Sequence, residues 1–204
     1  FSNLLPSGQR VQFCVSQAAY GATDADAGLS GYGDGVVEIQ RQIDANRDNL
    51  SSGYTGSVFF NTSSYILLFK DLKESHFQHK ALIPPMDWKS KTQLSAPTNI
   101  TLIDTLLSWQ HPSAERFTIY AYPRGMAFET AKNDPQYLKG VVYGYNIRLD
   151  GYGDLSQQTI AVCSYDRYGV EHAAAFYEGN EVFIPKQVIF WELNGGTIDV
   201  ELPT

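Results

Sequence analysis

The sequence predicts an α+β protein. A βαβα segment over residues 1–90 precedes an antiparallel β-sandwich over 91–178, with extra strands expected in an extension over 179–204. Three observations predict this. Strand-like alternation gives way to helical spacing twice before Pro84-Pro85. Beyond that point only short alternating runs occur, separated by turn residues. Tyr and Phe are plentiful, at 13 and 11 residues, and aromatic side chains favour pleated, half-buried surfaces.

Arg10-Val-Gln-Phe-Cys-Val-Ser16 alternates as a strand does. A Gly/Asp/Tyr-rich loop follows over Tyr20–Gly35. Val36, Ile39, Gln40 and Ile43 then recur at helical spacing through Arg47, with Asp34 at the N-cap position. Tyr54-Thr-Gly-Ser-Val-Phe-Phe60 predicts a second strand, and Tyr65, Leu68, Phe69 and Leu72 a second amphipathic helix. Alternating strands and helices imply parallel strands. Two such units cannot cover both faces of a parallel sheet, so they read as the last units of a longer α/β barrel. The start at Phe1 reads as a cut from something longer.

Ile100 to Trp109 is expected as one strand, with Leu107 and Trp109 on one face and Ser108 on the other. A buried Trp is the natural centre of a small sandwich, because it removes a large apolar area from water. Phe117-Thr-Ile-Tyr-Ala-Tyr122 is the next strand, ended by Pro123-Arg-Gly125, and Val141 to Arg148 a third. In the fourth, Ile160, Val162 and Ser164 share one face while Ala161, Cys163 and Tyr165 share the other. Asp166 to Gly169 is expected as a hairpin turn into Ala173–Tyr177. Val182-Phe-Ile and Gln187-Val-Ile-Phe-Trp191 look like further strands.

The net charge of −7 and the absence of Lys/Arg clusters argue against nucleic acid as a partner. No apolar run reaches the roughly 18 residues that suggest a membrane span. Cys14 and Cys163 sit in apolar runs of different domains and are expected as two buried thiols. A monomer without cofactor is expected.

In a barrel, chemistry sits at the carboxyl ends of the strands. Here those ends are Ser16–Tyr20 and Asn61–Ser63. Glycoside cleavage uses two flanking carboxylates, and neither end carries one directly. Asp24 and Asp26 lie nearby in the loop and are the candidate catalytic residues, against an ordinary reading as solvated loop carboxylates. Gln17, Tyr20, Tyr32 and Asn61 are candidates for substrate contact. Tyr20, Tyr32, Tyr54 and Phe60 could stack on sugar rings, although Tyr54 and Phe60 read better as core. Asp24-Ala-Asp26-Ala-Gly28 begins like a calcium loop, but Gly28 and Gly35 stand where ligands are needed, so no metal is assigned. His76 and His79 are too few for a zinc site and read as a helix cap or surface pair. There is no phosphate-binding loop, dinucleotide fingerprint or nucleophile elbow.

Ser95-Ala-Pro-Thr through Leu107-Ser-Trp109-Gln-His-Pro112, with Val162-Cys-Ser-Tyr-Asp166-Arg-Tyr-Gly169, resembles a fibronectin type III domain. Ile160 stands where many such domains carry a Tyr. Val36-Val-Glu-Ile-Gln-Arg-Gln-Ile43 with Asn46-Arg47, then Gly56-Ser-Val-Phe-Phe60, resembles the final barrel units of glycosyl-hydrolase-like proteins of the GHL10 type. The resemblance runs to about Tyr177. It implies the C-terminal part of an extracytoplasmic glycoside hydrolase acting on oligo- or polysaccharide, with the sandwich as an accessory module and no complete active site in this chain. The alternative is a non-catalytic carbohydrate-binding or adhesion module.

Overall fold

The computed structural model describes residues 12–23, 34–49 and 54–179. The fold is α+β, with a parallel strand pair and two antiparallel sheets. Among the described residues no helix is long and apolar enough to cross a membrane.

Strand β1 (Phe13–Ala18) pairs in parallel with β2 (Tyr54–Phe60), with Val15 opposite Ser57 and Gln17 opposite Phe59. Between them run a single turn, α1 (Tyr20–Thr23), and the helix α2 (Val36–Asp48). Helix α3 (Thr62–Ser75) follows β2. The helical spacing read from the sequence becomes the core: Ile39 and Ile43 of α2 meet Leu68 and Leu72 of α3 and Ala19. The N-cap of α2 is Gly35, at φ 56°, rather than Asp34. A positive φ suits a residue without Cβ, and Asp34 turns its carboxylate to Arg41 instead. The carboxyl end of α3 is tied along α2, where Gln40 donates to Ser75 (3.0 Å) and Arg47 donates to the His76 carbonyl (2.6 Å). His76 closes α3 as its C-cap and faces Asp44 at 3.1 Å, which fits the capping role expected for it.

Only one face of the parallel pair is covered by described residues. Phe59 packs into the helical core, whereas Val58 and Phe60, pointing the other way, are 51% and 62% exposed. Phe60 is therefore not core, contrary to the apolar-run reading. Cys14 shares the uncovered side and is exposed, so only Cys163 is the buried thiol expected.

The second half has a three-stranded sheet in the order β3-β4-β7 and a four-stranded sheet in the order β6-β5-β8-β9. Their ranges are β3 Thr98–Ile103, β4 Leu106–Gln110, β5 Arg116–Pro123, β6 Leu138–Tyr143, β7 Asn146–Arg148, β8 Gln158–Tyr165 and β9 Glu171–Tyr177. A short helix α4 (Phe128–Lys132) joins β5 to β6. Ile100 to Trp109 is not one strand. The chain reverses at Asp104-Thr105, with Asp104 at φ 56°, and β3 pairs with β4. An Asp tolerates that conformation better than most residues. Val141 to Arg148 likewise divides at Gly144 (φ 100°), sending β6 to one sheet and β7 to the other.

Both sheets contribute to one apolar core. Leu107 and Trp109 from β4 pack with Phe117, Ile119, Ile160 and Val162 from the four-stranded sheet. The Trp109 ring stands edge-on to Phe117 at 5.3 Å. The alternation expected in β8 holds, because Ala161 and Cys163 face a second cluster with Tyr120, Tyr122, Leu138 and the helix residue Ala131. Glu171 lies on that side as a satisfied polar group. Thr118 and Tyr120 (2.8 Å) donate to its Oε1, and Lys132 sits 3.4 Å from Oε2.

The segment between the halves is a strap across this second face. Leu82 joins the outer cluster, and the Met86 amide donates to the Tyr168 carbonyl (2.8 Å). Gly169, at φ 78°, lets Ile83 approach: a Cβ there would stand 2.9 Å from Ile83 Cγ1. The β8–β9 turn is built by Asp166, whose Oδ1 accepts from the amides of Tyr168 (2.8 Å) and Val170 (2.9 Å). Ser90 of the strap donates to Asp166 Oδ2.

Candidate functional site

The carboxyl ends of β1 and β2 bring together Gln17, Ala18, Tyr20, Phe60 and Asn61. Register sets this up, because Gln17 lies opposite Phe59 and Ala18 opposite Phe60. The tight turn in which Ala19 donates to the Gln17 carbonyl (3.0 Å) starts α1 and brings Tyr20 to Phe60. Their rings meet edge-on at 6.0 Å and 89°, and both are exposed, Tyr20 by 37%.

Gln17 is the unusual member. It is 2% exposed, and among the described residues neither its amide nitrogen nor its carbonyl oxygen has a hydrogen-bond partner. A buried amide left unpaired costs about 1–3 kcal/mol, and cores rarely retain such a group without a use for it. Its position opposite Phe59 directs it to the helix-covered side, at the end of the strand.

Asn61 has a local role. Its Oδ1 accepts from the Ser64 amide (3.0 Å), which caps α3. A side chain capping a helix in this way is worth about 1 kcal/mol and is occupied unless a ligand displaces the bond. Asp24, Asp26 and Tyr32, along with residues 180–204, lie outside the described residues. Among those described, the carboxylates of this half sit on or beside α2 and α3: Asp34 pairs with Arg41, and Asp44 with His76. No group of three His, Cys, Asp or Glu gathers as a metal site among the described residues.

The strand ends offer an exposed aromatic pair on the open side and a buried amide on the helix-covered side. Aromatic faces stack on apolar ring surfaces, and an amide both donates to and accepts from hydroxyls. The sequence names Phe60 as a stacking residue but favours it as core, because its exposure depends on what covers the sheet. Gln17 was found by strand position, while the lack of partners for its amide is a property of the fold.

A second concave surface lies where β4 ends. Trp109, Gln110, His111, Pro112, Tyr145 and Thr98 line it, and the Trp109 indole N–H is buried without a partner among the described residues. Comparison with protein-family models, with curated proteins and with solved structures gives no match.

Proposed function

We propose that the chain is the C-terminal part of a glycoside-hydrolase-like protein. In this reading the parallel half closes a βα barrel, and residues 98–177 form a fibronectin type III-like sandwich serving as its accessory module. The parent protein acts outside the cytoplasm on oligo- or polysaccharide, and its carboxylate pair is completed by residues beyond those described. One observation carries the carbohydrate reading: the exposed Tyr20–Phe60 pair at the carboxyl ends of two parallel strands, with the Gln17 amide, which has no hydrogen-bond partner among the described residues, buried at the same strand end on the helix-covered side. The barrel reading is supported by apolar surface left open on both layers. Val58 and Phe60 are exposed on the sheet, and Ile66 (65%) and Leu67 (70%) on α3.

The test is retention of the full chain in gels containing soluble polysaccharides. Retardation is expected, and it is weakened by Tyr20→Ala, Phe60→Ala and Gln17→Leu. Gln17→Leu separates function from packing. Removing a partnerless amide should leave the melting temperature unchanged or higher, while a structural Gln17 would make the variant less stable. No retardation by any polysaccharide, or a destabilised Gln17→Leu with unchanged retention, sinks the reading.

The cleft beside Trp109 favours a second reading, a carbohydrate-binding module using Tyr145 for stacking and the indole N–H for hydrogen bonding. Retention that survives Gln17→Leu but is lost in Tyr145→Ala selects it.

A further inference from the structure

A cleft of about 330 Å³ opens where the strap, the β4–β5 turn and the β8–β9 hairpin converge, at residues 90–94, 113–116 and 165–168. That volume is at the small end of ligand sites. We propose that this cleft binds a small organic carboxylate, its anionic end held by Arg116, Tyr165 and Lys91 and its apolar body lying against Leu94 and Ala114.

Charge is the first argument. The chain as a whole carries −7, yet Lys91, Arg116 and Arg167 converge on this cleft. Two acids, Glu115 and Asp166, also line it. Asp166 is already committed: Ser90, the amides of Tyr168 and Val170, and His172 at 3.4 Å all address its carboxylate. Its charge is therefore answered from the strap and the hairpin, and the cations are left in excess.

Register supplies the second argument. Arg116 on β5 lies opposite Tyr143 on β6, and Phe117 lies opposite Ser164 on β8, so Arg116 and Tyr165 are cross-strand neighbours. Tyr165 in turn lies opposite Glu171. Arg116 is thereby flanked by two tyrosines, with its guanidinium 5.2 Å from the Tyr143 ring centroid. Stacking holds the guanidinium plane while leaving its N–H fork able to take a carboxylate on two bonds.

The third argument is an orphan. Tyr165 is 5% exposed and its hydroxyl has no hydrogen-bond partner among the described residues. Burial, then the charge of Glu171, raises its pKa, so it remains a protonated donor through the physiological range. A buried donor without an acceptor is costly, and an oxyanion in the cleft that Tyr165 lines is the acceptor it lacks. The lining also contains Leu94 and Ala114, which give an inorganic anion nothing and a short aliphatic chain a surface to cover.

Hexanoate, hexanol and inorganic phosphate are titrated into the full chain at constant ionic strength and followed by amide NMR. Hexanoate is expected to shift residues 90–94, 113–116 and 165–168 along one saturable curve, with hexanol and phosphate at least about tenfold weaker, as befits losing a charge-assisted hydrogen bond or the apolar contact. Arg116→Gln and Tyr165→Phe should each weaken hexanoate several-fold. Tyr165→Phe removes the orphan hydroxyl and should not lower the melting temperature. Lys91→Gln, at an exposed position, tests the charge without touching the core. Failure to saturate, equal affinity for hexanol or for phosphate, or hexanoate binding indifferent to all three substitutions would each overturn the proposal.

Discussion

Trp109→Ala tests the packing that unites the two sheets. The indole is 3% exposed and stands edge-on to Phe117 at 5.3 Å within a cluster drawn from both sheets. A buried Trp removes about 150–250 Å² from water, worth about 4–6 kcal/mol at about 25 cal/mol per Å², an upper estimate because denatured chains are partly compact. The partnerless indole N–H works against this by about 1–3 kcal/mol. The cavity left behind adds to the loss, and the net cost expected is about 3–5 kcal/mol, the usual range for deleting a large aromatic from a core. In urea, with a slope of about 1–1.5 kcal/mol/M, the midpoint followed by circular dichroism should fall by at least about 2 M. Trp109→Phe keeps the ring contact and discards the orphan N–H, so it should cost less than half as much. A fall of under about 0.5 M for the Ala variant, or equal costs for Ala and Phe, would refute the reasoning.

Gly169→Ala should destabilise more than Gly125→Ala and speed exchange of the Met86 amide. Both glycines have positive φ (78° and 86°), but only Gly169 meets Ile83, while Gly125 has open space; the difference should be about 1 kcal/mol or more. Burial pushes the Asp166 carboxyl up, but hydrogen bonds from Ser90, Val170, Tyr168 and His172 outweigh it and hold the group below its ordinary value. A depressed folded-state pKa gives stability that is present above about pH 4 and is lost as pH falls through the folded value, so Asp166→Asn should flatten the acid limb of a stability–pH curve. A thiol reagent at mild alkaline pH should modify exposed Cys14 first. Cys163, whose thiol burial pushes up to about 12, should react only on unfolding, and equal rates would contradict its burial. Asn61→Ala should cost about 1 kcal/mol through the lost cap of α3, measured by thermal melting.

Much of the fold was legible wherever one face of an element is buried. The period of Ile39, Ile43, Leu68 and Leu72, and the alternation of β8, are imposed by water and survive in the sequence. The turns were less legible. Asp104-Thr105 reverses the chain without a Gly, and Gly144 looks like any strand glycine until its positive φ is seen. Asp34 resembled a cap because side-chain chemistry alone does not reveal the backbone angle at Gly35. Of the candidate site, strand-end logic located Gln17, Tyr20 and Asn61 at one end of the parallel pair. It did not show that Asn61 is committed to a helix while Gln17 has no hydrogen-bond partner among the described residues. That difference depends on neighbours brought in from elsewhere in the chain.

The position of β4 between β3 and β7 bears on how the chain acquires its structure. Its first neighbour is the adjoining hairpin arm, but its second arrives only after β5, α4 and β6 have been traversed. A lone two-stranded hairpin is marginal in water, and closing the longer loop carries an entropic penalty before any contact rewards it. During synthesis the β3–β4 arm must therefore wait, with Leu107 and Trp109 unsheltered, until residues 146–148 emerge. The central β5–β8 pairing joins segments a comparable distance apart in the sequence. Refolding should consequently be slow and concerted, and nascent chains halted before Arg148 should be the ones that chaperones retain.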